Sequence, residues 1–296
     1  MSSPYVPGWE YLPDEVETIR SMQPFPTFGS TPANLVTDIP DHVFLWDAAK
    51  KVLGRLRRSK NQLSVGSCVS FGTDNAVEDT MCVEIALGEA EEYKELVEEV
   101  TYGGSRVEVG GGRISGDGSV GAWAAEFVKN WGVVARGIYG TYDLSTYSES
   151  RCRDFGRNGV PAEIETVAKV HPVKTITQIN TWDQAKKALA SGNGIAICSN
   201  QGFSMKRDAN GVCRPSGSWA HCMALDGYII VNGKEYGHIK NSWGDDAHTG
   251  PVGWGEPGLD GFWTDAETID RMLRQDDSWA FSAVEGFPAR KINWLL

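Results

Sequence analysis

Residues 61–71 read NQLSVGSCVSF, and this stretch decides how the rest of the chain is read. After Cys68, small and apolar residues recur every three or four positions: Val69, Thr73, Ala76, Thr80, Val83 and Leu87. That period predicts a helix from Cys68 to about Gly88, capped by Ser67 or by the preceding turn. A cysteine at a helix start meets unpaired N–H groups and the positive end of the helix dipole, which favour the reactive thiolate. Gly66 lets substrate approach the backbone closely. Gln62 lies upstream with a side-chain N–H₂ that, with the Cys68 backbone N–H, can hold a developing oxyanion. A buried structural cysteine would give the same local pattern, so the reading depends on what lies elsewhere.

Two later stretches supply the missing partners. Residues 218–228 read SWAHCMALDGY and place His221 at the entry to a β-rich run. Histidine takes and returns protons near neutral pH. Of the other histidines, His238 reads as a packed strand residue, and His171 and His248 fall in connections. Residues 238–244 read HIKNSWG. Asn241 can accept from one ring nitrogen of a histidine and fix its tautomer, while Trp243 can shield that bond from water.

Outward from these segments, residues 1–38 carry Pro4, Pro7, Pro13, Pro24, Pro26 and Pro32 and read as an extended arm, lying on the domain or docking on a partner. A short helix is predicted within Ala48–Lys60, whose basic residues Arg55, Arg57, Arg58 and Lys60 read as a solvated face. Further helices are predicted at Glu89–Val100, through GAWAAEFVKNWGV with a stop at Gly132, and from a Thr181 cap to Gly192. The glycine-rich stretch Gly103–Gly121 reads as loop, with its part near Gly116–Ser119 lining one side of a cleft. Beyond Gly194 come short β runs, with VNGKEY (residues 231–236) as a hairpin. Helices first and strands second argue an α+β fold with two lobes and the cleft between them.

Composition narrows the function. A net charge of −11 and a pI of about 5.0 oppose nucleic-acid binding. Gly110–Gly112 is not a phosphate loop, since no Gly-Lys-Ser/Thr follows. No stretch reaches the ~20 apolar residues of a membrane helix. The opening residues show no basic-then-apolar leader, so the expectation is synthesis in the cytoplasm, with incorporation into a larger assembly or virion as an alternative. The six cysteines are then expected to be mostly free thiols, a bridge at Cys152 or Cys213 being the alternative.

Taken together, NQLSVGSCVSF, HCMALDGY, and IKNSWG followed by GWGEPGLDGFW (residues 253–263) resemble the papain family of cysteine peptidases in content and in the order Cys, His, Asn. The spacing from Cys68 to His221 is close to the family's ~130–150 residues. Weaker likeness, from IPDHVFLWD (residues 39–47) through the glycine-rich loop to the right-lobe helix, extends the resemblance over about 39–285, leaving 286–296 as a C-terminal tail. The flavour is closest to bacterial and phage members. The resemblance implies a two-lobed papain-like fold and a cysteine-type endopeptidase acting on polypeptides, with no metal or organic cofactor. Cys68 would be the nucleophile, His221 the base, Asn241 its orienting residue and Gln62 the oxyanion donor. Gly66, Ser67, Gly118, Ser119, Trp219 and Trp243 would line the substrate, Trp219 narrowing a side-chain pocket.

Three departures stand out. Val65 replaces a cysteine that many members carry, Ala220 replaces the usual polar residue before the histidine, and Asp245–Val252 looks like an insertion close to the cleft. The 67 residues before Cys68 are short for a full inhibitory prodomain, so restraint by partners or by the arm is expected. Two alternatives stay open: an idle papain-fold docking subunit with a protein partner on the arm, and a cell-wall peptide amidase.

Overall fold

The computed structural model describes residues 6–22, 27–89 and 92–282; the expected tail 286–296 lies outside them. Helix α1 (Pro13–Met22) is followed by strand β1 (His42–Phe44), helix α2 (Leu45–Leu53) and the long helix α3 (Cys68–Ala86). Helices α4 (Glu98–Gly104) and α5 (Gly121–Asn130), a hairpin of β2 (Ile138–Tyr139) and β3 (Tyr142–Asp143), and helices α6 (Glu149–Asn158) and α7 (Ala162–Ala168) complete the helical lobe. The second lobe holds β4 (Thr175–Gln178), α8 (Trp182–Ala190), β5 (Ile195–Phe203), β6 (Pro215–Val231) and β7 (Lys234–Lys240). It closes with β8 (Gly261–Asp265), α9 (Ala266–Leu273) and β9 (Trp279–Ser282). The main sheet is antiparallel in the order β4-β9-β5-β6-β7-β8, with β1 also on β6. This is the α+β, two-lobed architecture.

Helix α3 is buried nearly all round, which is why its sequence is not amphipathic. It lies so close to β6 that a Cβ at Gly72 would come within 2.8 Å of Cys222 Sγ. One apolar core joins α3, α5 and the β4–β9 edge; a second fills the space between the sheet and α8 and α9. The β6–β7 turn at Asn232-Gly233 has φ of 51° and 73°, the left-handed pair of a tight hairpin. It sets the register from Val231–Lys234 to Gly227–His238; a one-residue shift between Leu225 and Gly227 then pairs Ala224 with Lys240 and brings the middle of β6 beside the residue after β7.

Several local expectations are corrected. Part of the arm is helical: Pro13 opens α1, Asp14 and Glu15 sit in its first turn, and Val16 and Ile19 are buried. Glu15 accepts from Arg113 Nη2 at 2.8 Å and from the indole of Trp123 at 3.3 Å. The predicted helix 89–100 does not form in its described part before Glu98. Leu96 instead donates to Glu78 Oε1 at 2.7 Å and bridges Ala135; these tertiary bonds outweigh helix propensity. The expected loop 103–121 begins as helix, continued by a π-helical turn at Ser105–Val109. Gly104 packs there against the ring of Phe127, where a Cβ would lie 2.0 Å away.

The basic run is only in part a solvated face: Arg55 and Arg58 are exposed, but the other two are not. Arg57 and Lys60 are 7% and 6% exposed. Arg57 pairs with Glu78 (2.6 Å) and Asp79 (2.7 Å), and Lys60 with Glu78 (2.6 Å) and Glu98 (2.5 Å). Burial pushes the Glu78 carboxyl up, but Lys60 and Arg57 outweigh it and hold Glu78 below its ordinary value. All six cysteines are free and buried.

Candidate active site

Cys68 is the first residue of α3. Ser67 makes no side-chain cap, which removes one of the two expected caps; its carbonyl accepts from Ser70 Oγ instead (2.8 Å). Cys68 Sγ accepts from the backbone N–H of Cys222 at 3.4 Å, which sets the sulfur beside the residue that follows His221. His221 is on β6, opposite Ser199 of β5. Its Nε2 lies 2.8 Å from Asn241 Oδ1, and its Nδ1 is buried without a hydrogen-bond partner among the described residues. Since the amide oxygen can only accept, Nε2 carries the proton and Nδ1 is the nitrogen left basic. The Trp243 ring stacks on the imidazole with centroids 4.4 Å apart.

Gln62 is tied to the Asn241 segment. Its backbone N–H donates to Ser242 O (2.9 Å), and its Oε1 accepts from Ser242 Oγ (2.7 Å). That leaves Nε2 to donate, and it does so to Val65 O (2.9 Å) and to Val6 O (2.6 Å). The four residues Cys68, His221, Asn241 and Gln62 are thus brought into one constellation from three separate segments.

Val6 belongs to the arm, whose residues 6–10 are hydrogen-bonded to both Ser119 and Ala220. Gly8 and Trp9 donate to Ala220 O (2.9 and 3.0 Å), Ser119 N donates to Gly8 O (2.9 Å), and Glu10 N donates to Ser119 O (2.9 Å). Trp9 is 2% exposed and its indole donates to Asp277 Oδ2 at 2.8 Å. Burial pushes the Asp277 carboxyl up to about 6, against N–H donors from Trp279, Trp9, Gly121 and Ala122. The Gly8 N–H also favours charge on Cys68 Sγ.

The expected lining residues occupy distinct places. Gly66 lies under the arm, its N–H donating to Asp117 Oδ2 at 3.1 Å, and Ser67 is buried with Oγ 3.5 Å from Tyr147 OH. Gly118 takes φ 115°, and its carbonyl accepts from Arg106, whose guanidinium also binds Ile114 O and Gly116 O and so organises the glycine-rich loop. Ser119 offers its backbone to the arm. Trp219 is half-buried and packs on Trp243 and Phe203, on the β side of the cleft. Sequence reasoning missed Ala220 O, a backbone acceptor with no signature, and His248, whose ring reaches Asn241.

Burial dominates the electrostatics. It pushes the Cys68 thiol far above its ordinary value, with the neighbouring Cys222 adding to the shift. It lowers His221 to about 4, partly opposed by the Asn241 hydrogen bond. Both shifts favour the uncharged forms, a thiol and a neutral imidazole.

A two-lobed α+β fold with a cysteine opening its central helix and a histidine on the facing sheet defines the cysteine-peptidase class. The chain belongs to the papain family of cysteine proteases, whose model matches residues 43–259. None of the curated proteins matches this sequence. Among solved structures, xylellain, a cysteine protease from Xylella fastidiosa, is similar at 16% identity and a TM-score of 0.60, over 86% of this chain and 91% of that one. The digestive procathepsin L 3 of the Tenebrio molitor larval midgut is similar at 16% identity and 0.55, over 90% and 79%. The procathepsin B S9 of Trypanosoma congolense is similar at 12% identity and 0.57, over 93% and 85%.

Proposed function

We propose that this chain is a cysteine endopeptidase acting through Cys68, His221 and Asn241, and that its own segment Val6–Glu10 holds it latent. The observation that carries the reading is the ring of His221: Nε2 bonded to Asn241, Nδ1 left basic, one residue from the backbone N–H that touches Cys68 Sγ.

Once the arm leaves, water reaches both groups and the desolvation that kept them neutral is relieved. The Cys68 proton passes to His221 Nδ1, and the α3 N-terminus stabilises the thiolate. The thiolate attacks a peptide carbonyl, whose oxygen takes the place of Val6 O on Gln62 Nε2, beside the Cys68 N–H. His221 gives its proton to the leaving amine, then draws one from the water that cleaves the thioester. Extended substrate backbone pairs with Ser119 and Ala220 O, the groups the arm now uses.

The test is hydrolysis of unfolded casein by the full chain carrying Gly8→Val, beside wild type and Gly8→Val/Cys68→Ala. Hydrolysis confined to the first supports the reading. An inert Gly8→Val chain with its cleft open to an alkylator refutes it.

A further inference from the structure

Asn241 has a second end. Its Oδ1 accepts from His221 Nε2 (2.8 Å) and from the Ser242 backbone N–H (2.7 Å), while its Nδ2 lies 3.1 Å from Nε2 of His248. An amide nitrogen only donates, so His248 Nε2 must accept, with the ring neutral and its proton on Nδ1. The Nδ1 side faces Cys213 Sγ at 3.8 Å, a soft and weak acceptor that suits a donor N–H.

The loop that carries His248 is built to hold it there. The ring is 2% exposed and packs on Phe262, with centroids 4.7 Å apart. Arg207 Nη2 donates to His248 O (2.8 Å), while its Nη1 binds Leu259 O and Gly261 O (3.1 and 2.8 Å). The backbone on either side is stitched by Arg207 N to Thr249 O (2.8 Å) and Thr249 N to Met205 O (3.0 Å). Burial and the nearby Arg207 guanidinium keep the imidazole neutral, lowering it to about 3.

We propose that His248 is a positioning residue, reached through Asn241: it holds the amide with its oxygen toward His221 and so fixes the base in the tautomer that leaves Nδ1 for Cys68. The inference rests on the peptidase reading. If the amide turned over, Nδ2 would face the His221 Nε2–H and the Ser242 N–H, donor against donor. The Ser242 bond resists that turn at one end and His248 at the other. The site then has four members in line: Cys68, His221, Asn241 and His248.

Two readouts test this. In the full-length protein, ¹⁵N NMR of the ring nitrogens reports tautomers directly. His248 should be protonated at Nδ1 and bare at Nε2; a protonated Nε2 overturns the proposal with no variant needed. In His248→Leu, water exchange of the His221 Nε2–H should rise about tenfold, the equivalent of losing one hydrogen bond, and His248→Gln, whose amide oxygen still accepts, should restore it.

In the Gly8→Val background, His248→Leu should lower kcat about tenfold with KM unchanged. It should cost nothing further once Asn241→Ala is present. Additive effects, or a Gln variant as poor as Leu, contradict the proposal. Should Gly8→Val turn over no substrate at all, the peptidase reading fails while the NMR result still decides the role of His248.

Discussion

Gly8 is the position where one added atom separates the shut form from the open one. A Cβ there would lie 2.0 Å from Gly66 O and 2.3 Å from its carbonyl carbon, backbone atoms that cannot swing aside. Any side chain therefore lifts Gly8 off Gly66. At least three bonds go with it: Gly8 N to Ala220 O, Ser119 N to Gly8 O, and Gln62 Nε2 to Val6 O. At ~1 kcal/mol net each, their loss costs about 3 kcal/mol, on the order of 100-fold in the ratio of shut to open. Trp9, anchored on Asp277, keeps the rest of the arm near the domain, so the fold itself should be unharmed. The assay is the rate of Cys68 alkylation by iodoacetamide at pH 7, read by mass mapping, in wild type and Gly8→Val. The expected result is a rise of about 100-fold at Cys68 with the other buried cysteines unchanged. A folded Gly8→Val protein whose Cys68 reacts no faster than wild type would refute the latch.

Three further outcomes are expected. In the open background, Gln62→Ala should lower kcat by about 100-fold or more while KM moves little, because an oxyanion donor acts in the transition state; equal loss in KM would mean a binding role. Lys60→Met should strip Glu78 and Glu98 of their shared cation and lower stability by about 3–5 kcal/mol in urea unfolding, where a solvated lysine would show almost nothing. Acid should destabilise the shut form through His221. Its folded value of about 4 lies below the ~6.5 of an unfolded histidine, so between those limits the unfolded chain binds more protons and stability falls as pH falls. The loss from this group approaches about 3 kcal/mol near pH 4, and His221→Gln should flatten that part of the urea-midpoint profile.

The candidate constellation was legible because each member sits in a short motif whose chemistry is local: a thiol at a helix start, a histidine in a β-rich run, an asparagine two residues before a tryptophan. The β-lobe was equally legible, since alternation and the Asn232-Gly233 turn are local signals. What escaped was set by distance in the chain. Arg57 and Lys60 read as surface because their partners Glu78 and Glu98 arrive from other elements. The segment before Glu98 has the charge pattern of a helix, yet Leu96 gives its N–H to Glu78. The arm's proline content pointed to extended chain, which holds for Val6–Glu10 and fails at α1, where Pro13 serves as a helix-opening residue. Nothing in residues 6–10 announces a cleft ligand; only the closed fold sets Val6 O on Gln62. His248 had one signal, its place in the insertion beside the cleft, but its ring reaches Asn241 only because Arg207 pins the loop.

The central claim is that Cys68 and His221 form an activatable pair beneath the arm. Its most direct test is alkylation of Cys68 as a function of pH in the full-length Gly8→Val protein, with and without His221→Ala. The account predicts that Cys68 reacts selectively and that its reaction persists well below the ~8.5 of a free thiol, with both properties lost in His221→Ala. A Cys68 that titrates like an ordinary thiol in the open protein, indifferent to His221, would contradict it.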